Sequence, residues 1–129
     1  MFRNRAQVLE QLQRTEAAIS DAAGPDALTR MFRAPHGFKG PATALAARRA
    51  GYRLTGWSVG VFDSAQPGAD VIADRANRAL TPGGVLLLHD ADGWDPSASR
   101  DQTAAAIGPI CAAARARGLE PITLGELAE

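Results

Sequence analysis

The chain has 129 residues, with fourteen Lys plus Arg against fourteen Asp plus Glu, one Cys and two His. A chain of this size buries roughly two thirds of the surface that its unfolded form exposes, so one domain with one core is expected. The basic residues are scattered, which excludes the footprint of a nucleic-acid binder, and no apolar run reaches the roughly eighteen residues of a membrane span.

Met1-Phe2-Arg3-Asn4-Arg5 leads into an amphipathic stretch with no signal-type apolar core, so the chain is expected to be soluble, and its compartment is not legible. Val8, Leu9, Leu12 and Ile19 set a helical period from about Arg5 to Ala23, closed by Gly24-Pro25-Asp26. Thr29 to Arg33 reads as a short strand. Gly40-Pro41 opens a second helix, with Pro in its first turn, that runs to Gly51. Tyr52 to Val59 is a second strand, and the loop Ser64-Ala65-Gln66-Pro67-Gly68 precedes a third helix near Asp70 to Leu80. Thr81-Pro82-Gly83-Gly84 turns the chain into a third strand, Val85 to His89. That strand is apolar on both faces, as suits a parallel sheet covered by helices. A fourth helix covers about Gln102 to Arg117, capped by Gly118. A last strand at Pro121 to Thr123 and a closing turn at Leu124 to Ala128 complete an alternating α/β order. Cys111 falls with Ile107, Ile110 and Ala114 on one helix face and reads as a small core thiol.

Polar chemistry gathers where strand-like runs end: Phe32-Arg33-Ala34-Pro35-His36-Gly37, Trp57-Ser58-Val59-Gly60-Val61-Phe62-Asp63 and Val85-Leu86-Leu87-Leu88-His89-Asp90. The carboxyl ends of parallel strands converge on one rim, so Arg33, Asp63 and His89 can meet around one substrate there. Taken singly, Arg33 reads as a surface arginine at a turn and His89 as a structural histidine. Their order gives them weight.

With these motifs in hand, the chain resembles the C-terminal part of the polysaccharide deacetylase domain, also called the NodB-homology domain or carbohydrate esterase family four. Arg33-Ala34-Pro35-His36-Gly37 is similar to the family's Arg-x-Pro-aromatic-Gly segment, with His36 where Tyr is usual. Trp57-Ser58-Val59 resembles its next strand, Asp63 lies where its next acidic motif ends, and Leu86-Leu87-Leu88-His89-Asp90 resembles its last motif. The resemblance implies the C-terminal half of an irregular parallel (β/α) barrel with about four strands, 1–129 being a partial domain. The family's Thr-Phe-Asp-Asp strand and His-x-x-x-His motif, which supply a base and the ligands of zinc or another divalent metal, are not in this sequence. Catalysis by this chain alone and metal binding by it are therefore not expected. Ser64 also departs from the family, which often has Trp there.

The resemblance assigns roles. His89 would be the general acid for the leaving amine, and Asp63, bonded to its ring, would fix its tautomer and stabilise its protonated form. Arg33 would orient the base. The N–H of His36, after Pro35, would face the oxyanion. Leu86 or Leu88 would line a slot for the acetyl methyl, and Trp57 would contact substrate or pack in the core. The partner implied is an N-acetylated carbohydrate polymer, and unpaired strand edges imply self-association. Three other readings carry less. Asp90-Ala91-Asp92-Gly93-Trp94-Asp95 faintly resembles a calcium loop, but its Gly is misplaced and Asp101 stands where Glu belongs. Leu80 to Leu86 is similar to a late segment of nucleotide-binding methyltransferases, without the Gly-rich loop that those need. A non-catalytic carbohydrate- or partner-binding remnant of the deacetylase fold is the remaining alternative.

Overall fold

The computed structural model describes residues 5–37, 40–91, 95 and 97–127. Trp94, the centre of the calcium-like loop, Phe38-Lys39 and the first four residues lie outside the described residues. The chain divides into two compact units, residues 1–56 and 57–129.

In the first unit, helix α1 (Arg5–Ala23) buries Val8 and Leu12 against Ala46 of helix α2 (Pro41–Arg49), with Leu9, Phe32 and Tyr52 partly buried around them. Ala46 and Ala47 have no exposed surface, because side chains this small let the helix press close to its neighbours. Strands β1 (Met31–Arg33) and β2 (Arg53–Thr55) pair in parallel, with Met31 opposite Arg53. Between α2 and β2 the chain turns at Gly51, whose φ of 79° suits a residue without Cβ. Gly51 N donates to Arg48 O at 3.1 Å and Tyr52 N to Ala47 O at 2.9 Å, the paired bonds of a Schellman cap. Glu16 of α1 ties both strand entries to the helix. Its Oε1 accepts from Arg30 Nη1 at 2.7 Å and from the Tyr52 hydroxyl, while the Arg30 guanidinium lies 5.5 Å from the Tyr52 ring centre. Burial and the bond to Glu16 push the Tyr52 phenol above its ordinary range.

The second unit packs helices α3 (Ala69–Ala79) and α4 (Asp101–Ala116) beside the parallel pair β3 (Val59–Gly60) and β4 (Leu86–Leu87). Val61, Ile72, Ala73, Ala76, Ala106 and Ile110 form its core, with Leu80, Leu86 and Leu88 packed against it. A last helix, α5 (Leu124–Leu127), follows.

The α/β class, the parallel strands and the helix order are those expected, and α1 has the expected bounds. Four expectations change. The buried apolar residues described form two clusters, one in each unit, rather than one core. The second expected strand divides in two at Gly56 and Trp57, because its halves pair with different partners. Pro121 to Thr123 is not a strand. Pro121 has no N–H to give a ladder, and Thr123 N and Oγ1 both donate to Glu126 Oε2 at 2.7 Å while Glu126 N reaches back to Thr123 Oγ1 at 3.3 Å. Those bonds are a capping box that starts α5. Cys111 is only half-buried and Ile107 is 48% exposed. The stripe of α4 that turns inward is Thr103, Ala106, Ile110 and Ala114. Among the described residues no helix is long and apolar enough to cross a membrane.

Candidate functional site

Strand β4 is launched by a turn in which Gly84 N donates to Thr81 O at 3.0 Å, with Pro82 second and Gly83 at φ 69° third, the chemistry of a type II turn. Val85 is then stitched to the start of β3. Its carbonyl accepts from Ser58 N at 2.8 Å, and its N–H donates to Ser58 Oγ at 3.0 Å. With Val59 opposite Leu86 and Gly60 opposite Leu87 in parallel register, the two strands leave their ladder at the same end. Asp63 follows one exit and His89 the other.

There the two side chains meet. Asp63 Oδ1 lies 2.8 Å from His89 Nδ1, and Asp63 Oδ2 accepts from the His89 backbone N–H at 2.8 Å and from Thr103 Oγ1 at 3.0 Å. Asp63 has no exposed surface, whereas the His89 side chain is 39% exposed. A carboxylate only accepts, so Nδ1 carries the proton of that bond and Nε2 is the ring nitrogen left for chemistry in solvent. Burial by itself raises the Asp63 carboxyl, but the bonds from the His89 ring, the His89 backbone and Thr103 outweigh it and hold Asp63 below its ordinary value.

The loop around Asp63 is held at several points. Asp63–Ala65 is a 3₁₀ turn flanked by Phe62 (φ 57°) and Gln66 (φ 50°), both left-handed. For side chains other than Gly this conformation costs on the order of 1–2 kcal/mol per residue. Arg75 Nη1 donates to Val61 O at 3.1 Å, Arg100 Nη1 to Ser64 O at 3.1 Å, and Gly68 N to Gln102 Oε1 at 2.6 Å.

The other candidates take these places. Leu86 and Leu88 lean on the core of the second unit, so their side is a packing face and the opposite face of the strand belongs to Leu87, beside Gly60. Alternation, which pairs Leu86 with Leu88, also groups Leu87 with His89. Trp57 is half-buried just before β3. Arg33, Pro35 and His36 belong to the first unit. Arg33 is exposed and its Nη2 donates to Gly56 O at 3.3 Å. Pro35 and His36 are exposed beside the buried Ala34, in a 3₁₀ turn where His36 has φ 53° and ψ 13° and Gly37 N donates to Ala34 O at 3.0 Å. Sequence reasoning missed Thr103. Its signal was a hydroxyl at helical spacing within the otherwise apolar stripe Ala106, Ile110 and Ala114.

Among the described residues no group of three or more His, Cys, Asp or Glu side chains is placed to hold a metal ion. Both Asp63 oxygens are already spent on hydrogen bonds. The described residues do not fit the divalent metal that such a fold implies.

No protein-family model matches the chain. It is 35% identical to a chitooligosaccharide deacetylase of Bradyrhizobium over 95% of its own length and 58% of that protein's. It is also 31% identical to a peptidoglycan-N-acetylglucosamine deacetylase of Bacillus cereus over 75% of its length and 44% of the relative's. The chain thus spans a little over half of the first of these and less than half of the second. Among solved structures, a family 4 carbohydrate esterase from Streptomyces lividans in complex with acetate superposes with a TM-score of 0.77 at 27% identity, over 95% of this chain and 58% of that one. A family 4 pseudoenzyme from Bacillus anthracis superposes at 0.81 and 22% identity, over 98% of this chain and 41% of that one, a likeness of fold alone.

Proposed function

Because the chain belongs in sequence and fold to the polysaccharide deacetylase family, the NodB-homology or carbohydrate esterase family four domain, we propose that it carries the proton-donating half of a deacetylase site for an acetylated carbohydrate polymer. The observation that carries this reading is the His89–Asp63 pair. Its inner partner is fully buried and held by three hydrogen bonds, and its outer ring is open to solvent.

Removal of an acetyl group from an amino sugar forms a bond from water to the acetyl carbon and breaks the bond from that carbon to nitrogen. The departing nitrogen needs a proton, and His89 supplies it from Nε2 while Asp63 on Nδ1 stabilises the charged ring before transfer. By the family resemblance Arg33 would orient the base, and the backbone N–H of His36, the residue after Pro35, would face the developing oxyanion. The base itself and the ligands of the family's divalent metal belong to the Thr-Phe-Asp-Asp and His-x-x-x-His motifs, which these 129 residues do not contain. On this reading the chain alone is inactive. The edges of its short two-stranded ladders would favour self-association until complementary strands cover them.

Co-expression with a segment that carries both motifs tests this. The expected result is metal-dependent release of acetate from an N-acetylglucosamine oligomer. A well-folded pair that releases none, while the chain still binds the oligomer, would favour the non-catalytic carbohydrate-binding reading.

A further inference from the structure

Phe62 is the one aromatic side chain among the described residues that stands out in solvent. It is 75% exposed, while its neighbours Val61 and Asp63 are 2% and 0% exposed, and Phe32, Tyr52 and Trp57 are all partly buried. The left-handed backbone at Phe62 (φ 57°, ψ 38°) turns the ring outward between two buried residues. A bulky side chain rarely adopts that conformation, and such strain persists only where the surroundings impose it. Here they do. Arg75 holds the carbonyl before Phe62, Arg100 holds that of Ser64, and the Asp63 carboxylate is fixed by His89 and Thr103.

We infer that Phe62 is a stacking platform for a pyranose ring of the substrate, holding the sugar beside the His89–Asp63 pair. The inference rests on the deacetylase reading and adds a residue that would position its substrate. One peptide unit separates Phe62 from Asp63, so their Cα atoms are about 3.8 Å apart and the ring stands on the same loop that holds the partner of His89. The surroundings fit a sugar better than a protein. Ser64 and Gln66 follow in the same loop, are exposed and offer polar groups to hydroxyls, whereas a protein-docking patch needs a contiguous apolar surface of roughly a few hundred Å². The C–H bonds on one face of a pyranose carry partial positive charge and meet the negative face of an aromatic ring.

The test is calorimetric titration of the intact chain with a tetramer of N-acetylglucosamine, comparing wild type with Phe62→Gly and Phe62→Trp. Glycine removes the ring and relieves the backbone, so Phe62→Gly should melt at a higher temperature yet bind roughly tenfold more weakly, and Phe62→Trp should keep wild-type affinity. In the reconstituted enzyme the same glycine variant should raise KM and leave kcat unchanged. Saturable binding with the same Kd in wild type and Phe62→Gly would overturn the inference and leave the deacetylase reading standing. Absence of saturable binding to wild type would also overturn it, and acetate release would then decide the deacetylase reading independently.

Discussion

Asp63 concentrates three hydrogen bonds on a carboxylate with no exposed surface, so the packing around it depends on its charge. Asp63→Asn leaves one of its acceptors replaced by a donor and should cost about 1–3 kcal/mol at neutral pH. The sign of the pH dependence follows from its lowered pKa. The unfolded carboxyl titrates near ~3.9, so the stabilisation is complete above that value and drains as pH falls through it toward the lower folded value. Urea denaturation should therefore show a larger gap between wild type and Asp63→Asn at pH 7 than at pH 3. An equal gap at both would remove the carboxylate from the account. Thr103→Val keeps the shape and deletes one donor, so it too should lose about 1–3 kcal/mol, with Thr103→Ser restoring most of it. Melting temperatures that do not separate Val from Ser would contradict that. His89 and Asp63 were legible because each ends an apolar strand-like run with a polar residue. Thr103 was not, since its partner lies forty residues away and only tertiary packing brings them together.

At the scale of elements, helices were easier to read than strands because their signals are local. Pro41 at the start of α2 and Gly118 after α4 mark bounds that the structure keeps within a residue or two. Gly118 has φ 71°, its N–H donates to Arg115 O at 2.9 Å, and Leu119 N donates to Ala114 O at 3.0 Å. A Cβ there meets nothing within 4 Å, so Gly118→Ala should cost only the left-handed conformation, about 1 kcal/mol. A denaturation midpoint indistinguishable from wild type would contradict the Schellman account. Strands failed where pairing decides the outcome. The run Tyr52 to Val59 reads as continuous, yet ladder partners divide it, and Thr123 gives its N–H to Glu126 instead of to a strand.

For the whole molecule, a net charge of zero hides an asymmetry. Residues 1–56 carry nine basic and four acidic side chains, and residues 57–129 carry five and ten. Scattered basic residues were legible in the sequence, but this division was not, because the boundary at Gly56 is set by which strands pair. The proposed function also predicts how the intact chain treats metal. After dialysis against zinc it should retain no stoichiometric ion, and stoichiometric zinc lost on substitution of His36 or His89 would overturn that. The central claim is that His89 donates the proton that releases the sugar amine. Its most direct test is kcat for acetate release by the reconstituted enzyme with wild-type chain and with His89→Ala. The account predicts a fall of about two to four orders of magnitude in kcat with KM little changed, and a His89→Ala enzyme that turns over at the wild-type rate would contradict it.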